Sequence, residues 1–253
     1  MRENGLRKIW DQGGAAINGW LGIANSFSAE VMANAPFDSV TVDMQHGMVD
    51  FQAGVAMLQA ISTRDVTPLA RVPWNDPAAI MKILDAGAYG IVCPMINNRE
   101  ECERFVGACR YAPAGYRSFG PARGLIYGGP DYAKAANDTI ITMAMIETSE
   151  SLENLDEIMT VPGLDAIYVG PSDLAISLGH LPQPDPTEPV VVEAIGTILK
   201  AAQRNGVRAG IHCANGAMAK RMIDQGFQFC SISNDVRLMA AAANAEISAA
   251  RGN

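Results

Sequence analysis

Two acidic residues stand just after apolar runs that have the character of buried β-strands. Glu147 follows the run at residues 140–146, and Asp173 follows the run at 165–169 after Gly-Pro-Ser. A carboxylate is costly to bury within a strand, so we expect both acids at a shared rim beyond the strand ends. Two carboxylates, completed by water and a chelating substrate, suit a hard divalent cation such as Mg²⁺, Mn²⁺ or Co²⁺. The sequence therefore predicts an exchangeable metal site at Glu147 and Asp173.

Groups that can move protons or bind anions follow other apolar runs. Asp43 ends the second run and His46 follows three residues later, Arg71 lies at the end of the third, and His212 lies at the end of the seventh. We interpret His46 as a general base whose ring Asp43 holds, although a histidine in this place is often a loop-packing residue. Arg71 suits a substrate carboxylate or an enolate oxygen, or else it pairs with an acid of the barrel. For His212, substrate contact and packing both stay open.

Asp85 stands at the end of a helical segment and precedes Ala86-Gly87. This setting favours a role in ending the helix. Asp85 is a catalytic candidate only if it approaches His46, either within one subunit or between two.

The elements that would position these groups alternate regularly along the chain. Short apolar runs are separated by segments of helical period, and they predict strands at residues 19–24, 39–43, 67–72, 90–95, 139–146, 165–170, 207–213 and 228–231. Eight such alternations, with strands apolar on both faces, favour a closed (β/α)₈ TIM barrel in which chemistry lies at the carboxyl ends of the strands. Two loops, at residues 111–137 and 180–186, are rich in Gly or Pro, and we expect both at this mouth.

Composition restricts the class of protein. The chain has 253 residues, of which 49% are hydrophobic, and this length suits one barrel domain spanning residues 1–253. A net charge of -8 argues against nucleic acid and anionic membranes as partners and favours small molecules. We expect a cytoplasmic protein, because the sequence has neither a secretory leader nor an apolar stretch of the roughly 20 residues that a membrane span needs.

Lysine placement argues against an imine mechanism. None of the five lysines (Lys8, Lys82, Lys134, Lys200 and Lys220) ends a predicted strand, where a nucleophilic amine would be needed. An enolate formed here would need stabilisation by a metal.

Several motifs, in this order along nearly the whole chain, resemble those of the HpcH/HpaI aldolase family, the metal-dependent pyruvate aldolases. They are Gly19-Trp20-Leu21-Gly22, Asp43-Met44-Gln45-His46-Gly47, Arg71-Val72-Pro73, Trp74-Asn75-Asp76-Pro77, Tyr111-Ala112-Pro113-Ala114-Gly115-Tyr116-Arg117, Ile146-Glu147 and Val169-Gly170-Pro171-Ser172-Asp173-Leu174. The resemblance implies reversible retro-aldol cleavage of a 4-hydroxy-2-oxo acid to pyruvate, or a hydroxypyruvate-type analogue, and an aldehyde.

The resemblance also implies roles for individual residues. Glu147 and Asp173 match the family's metal ligands, His46 its base with Asp43 beside it, Arg71 its enolate-stabilising arginine and Asp85 its assisting acid. The resemblance further implies that the backbone from Gly170 to Asp173 holds the pyruvate carboxylate. The candidate substrate contacts are Trp20, Gly170, Pro171, Ser172 and, from its place at a strand end alone, His212. Family members are typically hexamers, arranged as trimers of dimers, with a swapped carboxyl-terminal helix, here expected at residues 236–251.

Two departures and two alternatives qualify this expectation. Many relatives have Glu at the position of Gln45 and Gln at that of Met145, which makes the substrate range less certain than the reaction.

One alternative is an acyl-CoA lyase of the citrate lyase β or malyl-CoA type, with Arg117 and Arg123 as weak support. The other is a non-catalytic barrel that binds an oxo acid.

Overall fold

Eight parallel strands pair in chain order and close into a barrel, with the first strand hydrogen-bonded to the last. The computed structural model describes residues 1–252; Asn253, the last residue of the predicted domain, lies outside the described residues. The strands are β1 Ala16–Leu21, β2 Ser39–Asp43, β3 Thr67–Arg71, β4 Gly90–Cys93, β5 Ile141–Ile146, β6 Ala166–Val169, β7 Arg208–Cys213 and β8 Phe229–Ile232. The predicted (β/α)₈ barrel is confirmed.

Helices surround the barrel and connect its strands. They are α1 Gly5–Asp11, α2 Ser26–Asn34, α3 Phe51–Ile61, α4 Pro77–Asp85, α5 Arg99–Cys109, α6 Ala122–Gly128, α7 Tyr132–Thr139, α8 Ser149–Glu153, α9 Leu155–Met159, α10 Pro171–Ser177, α11 Pro189–Asn205, α12 Gly216–Gln225 and α13 Asp235–Arg251. Many begin at a side-chain cap, as at Asn25, Asp50, Asp76 and Asn98, whose oxygens accept backbone N–H bonds of the first turn. Within residues 1–252, none of these helices combines the length and apolar character that crossing a bilayer requires.

The first strand begins three residues earlier than predicted. Ala16, Ile17 and Asn18 pair with Phe229, Cys230 and Ser231. Asn18, a polar residue outside the predicted strand, is fully buried inside the barrel and hydrogen-bonds Ser231. The strand β1 therefore begins before Asn18, whose side chain is buried together with its hydrogen-bond partner Ser231.

The prediction that residues 111–137 lie at the mouth is wrong. This segment follows helix α5, contains α6 and most of α7, and leads toward the start of β5, so it belongs to the amino-terminal end of the barrel. Asn4 Nδ2, just before α1, donates to the carbonyls of Tyr89 and Thr139, which precede β4 and β5 at this end. Connections from a helix back to a strand lie opposite the mouth. The loop at 180–186 does reach the mouth, where Pro184 lines the cavity.

The carboxyl-terminal helix matches its prediction within one residue. Predicted at 236–251, it spans Asp235–Arg251, and nearly all of its side chains are exposed. Asp235, at its first position, is buried and accepts the backbone N–H groups of Gly22 and Ile23 just beyond β1. This pair of bonds holds the start of the helix at the mouth.

Candidate active site

A cavity of about 430 Å³ opens at the carboxyl ends of the strands. Its walls include nine of the residues singled out from the sequence: Trp20, Asp43, His46, Arg71, Gly170, Pro171, Ser172, Asp173 and His212. The cavity is also lined by residues that sequence reasoning did not assign to a site, among them Met48, Tyr168, Pro184, Asn234 and Arg237. The fold thus collects side chains from most of the strand ends around one space.

Glu147, just beyond β5, is held in a buried position beside the cavity. Its Oε1 accepts the backbone N–H of Met95 at 2.9 Å, and Met95 adopts a left-handed backbone conformation with φ of 55°. Its Oε2 packs so closely on Gly170 that a Cβ added there would lie 2.3 Å from it. Gly170 therefore has to be glycine if Glu147 is to keep this position.

The electrostatic setting of Glu147 favours a positive partner. The side chain is 2% exposed, and burial raises its pKa from 4.5 to about 7, against the bond from Met95 and with a contribution from the negative charge of Asp173. Asp173 lies in the first turn of α10, three residues after Gly170, and lines the cavity. Two neighbouring carboxylates, one of them largely desolvated, repel each other unless a proton or a cation is shared between them.

Asp43 binds Arg71 through two parallel hydrogen bonds. Arg71 Nε donates to Oδ1 at 2.8 Å and Nη2 donates to Oδ2 at 2.5 Å, across the paired ends of β2 and β3. Although burial opposes ionisation of Asp43, these bonds and the charge of Arg71 lower its pKa. The alternative that Arg71 pairs with a barrel acid is therefore correct. Within residues 1–252, Nη1 of Arg71 makes no hydrogen bond to the protein, which leaves this nitrogen for a substrate oxygen.

The Trp20 side chain contacts both members of this ion pair. Its Nε1 donates to Asp43 Oδ2 at 3.0 Å, and the Arg71 guanidinium lies 4.8 Å from its ring centroid. The Tyr168 ring, which also lines the cavity, stacks on Trp20 with ring centroids 5.6 Å apart and an interplanar angle of 10°. Trp20 therefore orients Arg71 as well as lining the cavity.

The prediction that Asp43 holds the ring of His46 is wrong. Asp43 Oδ1 instead accepts the backbone N–H groups of Gln45 and His46, at 3.1 and 3.2 Å. Within the described part of the chain, the His46 ring makes no hydrogen bond to Asp43, and the residue is exposed at the cavity edge. The reason is that Arg71 and Trp20, together with these two amides, already occupy the carboxylate. Asp43 therefore shapes the loop that carries His46.

His212 lines the cavity from the end of β7. Its ring packs edge-on against Trp20 with centroids 5.2 Å apart, and its Nδ1 lies 3.0 Å from the Tyr168 hydroxyl. Burial and the nearby positive charge of Arg71 lower the pKa of His212 to about 4, so the ring is neutral at ordinary pH. His212 thus packs against buried aromatic rings and also lines the cavity.

Asp85 lies at the other end of the barrel within one chain, so an approach to His46 inside one subunit is wrong. It is the last residue of α4, and its Oδ1 accepts Arg117 Nη2 at 2.7 Å. Arg117 belongs to the segment that turned out to lie at the amino-terminal end. An approach between subunits stays a prediction.

Tyr168 is the main site residue that sequence reasoning missed. It sits within an apolar strand, where a tyrosine is an ordinary core residue, and its hydroxyl bonds only become visible in three dimensions. The signal that was available is the pair of a tyrosine and a histidine near the ends of neighbouring strands. Arg237 and Asn234 come from the start of α13, beyond the last strand.

Comparison with known proteins identifies the family. The model of the family described as HpcH/HpaI aldolase/citrate lyase matches residues 17–242. The chain therefore belongs to the HpcH/HpaI aldolase/citrate lyase family. This confirms the resemblance drawn from the sequence motifs.

Full-length relatives within the family narrow the class further. A hydroxypyruvate/pyruvate aldolase of Rhizorhabdus wittichii is 42% identical over 248 residues, which cover 98% of this chain and 99% of that protein. A 4-hydroxy-2-oxo-heptane-1,7-dioate aldolase of Salmonella dublin is 37% identical over 246 residues, which cover 96% of this chain and 93% of that protein. A crystal structure of a family protein from Burkholderia cenocepacia J2315 superposes with a TM-score of 0.90 at 28% identity, covering 97% and 98% of the two chains. This family member is accordingly a carbon–carbon lyase of the aldolase type.

Proposed function

We propose that the protein is a divalent-metal-dependent aldolase that reversibly cleaves 4-hydroxy-2-oxo acids to pyruvate or hydroxypyruvate and an aldehyde. The observation that carries the proposal is the single cavity that joins a cationic donor at Arg71, an exposed imidazole at His46 and the carboxylate of Asp173, with buried Glu147 beside it. A 2-oxo acid brings two adjacent oxygens and develops negative charge at the ketone on cleavage. These groups are complementary to such a substrate.

Glu147 and Asp173 fit a divalent cation. Within residues 1–252, Glu147 Oε2 has no hydrogen-bond donor, and burial, which raises the pKa of this carboxyl, disfavours its charged form unless a cation is close. Both candidate ligands are hard carboxylate oxygens, which Mg²⁺, Mn²⁺ and Co²⁺ accept. The part of the chain that the structure describes has no cluster of three or more His, Cys, Asp or Glu side chains suited to a metal. The remaining ligands would therefore be water and substrate, and the ion would exchange.

Each residue then has a defined task. A divalent cation held by Glu147 and Asp173 would supply Lewis acidity toward the 2-oxo acid. His46 removes the proton of the 4-hydroxyl in cleavage and returns it in condensation. Arg71, fixed by Asp43 and Trp20, presents Nη1 to the oxygen that gains negative charge. Backbone groups from Gly170 to Asp173 bind the substrate carboxylate, as the resemblance implies.

The proposal includes the oligomeric state of the protein. Helix α13 is exposed along its length and carries apolar side chains such as Val236, Met239 and Ile247, which are 46%, 61% and 48% exposed. We infer that it packs on a neighbouring subunit in a hexamer built as a trimer of dimers, with Asp85 of one subunit near His46 of another. Light scattering of the purified protein tests the hexamer, and Met239→Lys is expected to lower the measured mass.

The reaction is tested by two assays with and without chelator. Pyruvate or hydroxypyruvate is incubated with a panel of aldehydes to measure condensation, and oxaloacetate is offered to measure release of pyruvate, a simple indicator of enolate formation. We expect both activities to disappear with chelator and to return with Mg²⁺, Mn²⁺ or Co²⁺. Full activity after metal removal would contradict the metal assignment, and absence of both activities at every metal would contradict the reaction. Titration with an acyl-CoA ester in a calorimeter tests the acyl-CoA lyase alternative.

A further inference from the structure

A chain of polar side chains runs through the interior of the barrel and ends at His212. It begins at Asn18, which is fully buried and whose Oδ1 accepts the hydroxyls of Ser39 at 2.8 Å and Thr41 at 3.1 Å. Asn18 Nδ2 donates to Ser231 Oγ at 2.9 Å. With Oδ1 placed on these two hydroxyls, the donor side of the amide is directed at Ser231.

The chain continues to the cavity through one phenol. Tyr168 Oη lies 2.8 Å from Ser231 Oγ and 3.0 Å from His212 Nδ1. Ser231 already accepts from Asn18, so its own proton is free for the Tyr168 oxygen, and the Tyr168 proton is then free for Nδ1. In this arrangement each hydroxyl from Ser231 to Tyr168 both accepts and donates.

The proton count selects one tautomer of His212. If Nδ1 carried the proton, Tyr168 would have to donate to Ser231, and the Ser231 proton would have no acceptor among the partners that the structure describes. A buried donor without a partner costs about 1–3 kcal/mol. Nδ1 is therefore the acceptor, and the proton of the neutral ring lies on Nε2.

The position of the ring leaves Nε2 available to a ligand. Nδ1 is directed at Tyr168, which is fully buried, whereas His212 itself lines the cavity together with Trp20 and Arg71. The two ring nitrogens diverge, so the second nitrogen is directed away from the buried phenol. Because burial and Arg71 lower the pKa of His212 to about 4, the ring presents a neutral donor rather than a cation.

We propose that His212 is a specificity-determining residue, held as the Nε2–H tautomer by Asn18, Ser231 and Tyr168, that donates a hydrogen bond to a hydroxyl oxygen on an aldol substrate. The inference rests on the proposed aldolase function. The hydroxyl has two sources, the 3-hydroxyl of hydroxypyruvate on the nucleophile side or the α-hydroxyl of a hydroxyaldehyde on the acceptor side. Pyruvate and propanal are the matched substrates that lack it. Tyr168 and Ser231 are positioning residues.

The tautomer is tested without turnover. The chain has three histidines, His46, His180 and His212, so ¹⁵N spectra of histidine-labelled protein are assigned by loss of one ring in His212→Gln. We expect the His212 shifts of a neutral ring with an unprotonated Nδ1, and Tyr168→Phe should relax this preference while its ring remains able to stack on Trp20. A neutral ring with the proton on Nδ1 in the unaltered protein would overturn the proposal.

Specificity is tested with the variants His212→Leu and His212→Gln. Leu removes the donor, whereas the Gln amide is able to place an N–H near the position of Nε2. We expect His212→Leu to lower kcat/KM for the hydroxyl-bearing substrate by roughly tenfold relative to its matched substrate, the loss of one hydrogen bond, with Gln restoring much of it. Comparing hydroxypyruvate with pyruvate, and glycolaldehyde with propanal, identifies which partner carries the oxygen.

The outcomes separate this inference from the proposed function. Equal losses for hydroxyl-bearing and matched substrates, in both comparisons, would show that His212 only packs and would overturn the inference. Condensation of pyruvate with propanal by the unaltered protein would in that case still support the aldolase. Lack of activity with every substrate pair would instead remove the proposed function, while the tautomer measurement would remain interpretable.

Discussion

Asp43 and Arg71 face each other across the ends of β2 and β3 and share two hydrogen bonds, from Nε and Nη2 of the arginine to the two carboxylate oxygens. Both side chains are nearly buried, at 6% and 10% exposed. The pair fixes the direction in which the remaining guanidinium nitrogen points. Breaking it should therefore affect both folding and catalysis.

We predict that Asp43→Asn lowers the free energy of unfolding by about 3 kcal/mol, because Arg71 is left as a buried charge without its partner. It should also lower kcat/KM by at least tenfold, since Arg71 is free to turn away from the substrate. Urea unfolding and steady-state kinetics measure the two effects. Asp11→Asn, at an exposed position, is the control. Unchanged stability in Asp43→Asn would contradict the importance of this ion pair.

Gly170→Ala should displace Glu147. The added Cβ would lie 2.3 Å from Glu147 Oε2, which is too close for any side chain to occupy unmoved. We expect affinity for Mn²⁺ to fall at least tenfold, measured by calorimetry on metal-free protein. Gly196→Ala is the matched control, because a Cβ there meets nothing within 4 Å; it lies in α11, where alanine should stabilise the helix by up to about 1 kcal/mol. Equal Mn²⁺ affinity in the two variants would argue against Glu147 as a ligand.

Stability of the metal-free protein should depend on the protonation of Glu147. Its folded pKa is raised from 4.5 to about 7, so the folded state retains a proton that the unfolded chain has lost. The contribution of this group is fully present below about pH 4.5 and is lost as the pH rises through about 7, by on the order of 3 kcal/mol at about 1.4 kcal/mol per pKa unit. Thermal unfolding in chelator across this pH range measures it.

Glu147→Gln should remove that part of the pH dependence and be more stable than the unaltered protein above pH 7 without metal. Glu193→Gln, at an exposed position on α11, should keep the original profile. Added Mg²⁺ or Mn²⁺ should stabilise the unaltered protein above pH 7 and leave Glu147→Gln unchanged. Identical profiles for the unaltered protein and Glu147→Gln would show that this carboxylate is not the titrating group.

The main effect of Asp85→Asn should be a lower free energy of unfolding. Arg117, its partner, has a fully buried side chain, and within residues 1–252 its Nε and Nη1 atoms have no hydrogen-bond partner. Because Asp85 itself is 29% exposed, we expect a loss of about 2 kcal/mol, below that of a fully buried pair. The exposed pair of Lys220 and Asp224 supplies the control, and Asp224→Asn should cost less than about 1 kcal/mol. If Asp85→Asn instead lost much of its kcat while its free energy of unfolding stayed unchanged, the result would favour the prediction that Asp85 approaches His46 of a neighbouring subunit.

The amino-acid sequence alone was sufficient to predict the architecture and most of the residues that line the cavity. Eight apolar runs determined the number of strands, and the polar residues after them, such as His46, Arg71 and Asp173, were expected at one end because parallel strands place their carboxyl ends together. This inference depends only on periodicity and chain direction, which are local properties. The order of the motifs was likewise sufficient to identify the family.

Only the tertiary structure decided which side chains are partners. Asp43 was assigned to the His46 ring because it is near in sequence, but β2 and β3 pair so that Arg71 lies opposite it. Asn18 lay just before the predicted first strand, whereas in the structure it belongs to β1 and hydrogen-bonds Ser231, far along the chain, inside the barrel. The loop at 111–137 has the composition of a lid, yet it follows a helix and therefore lies at the opposite end. Hydrogen-bond partners and the end of a barrel on which a loop falls depend on contacts between distant segments, and these arise only when the barrel closes.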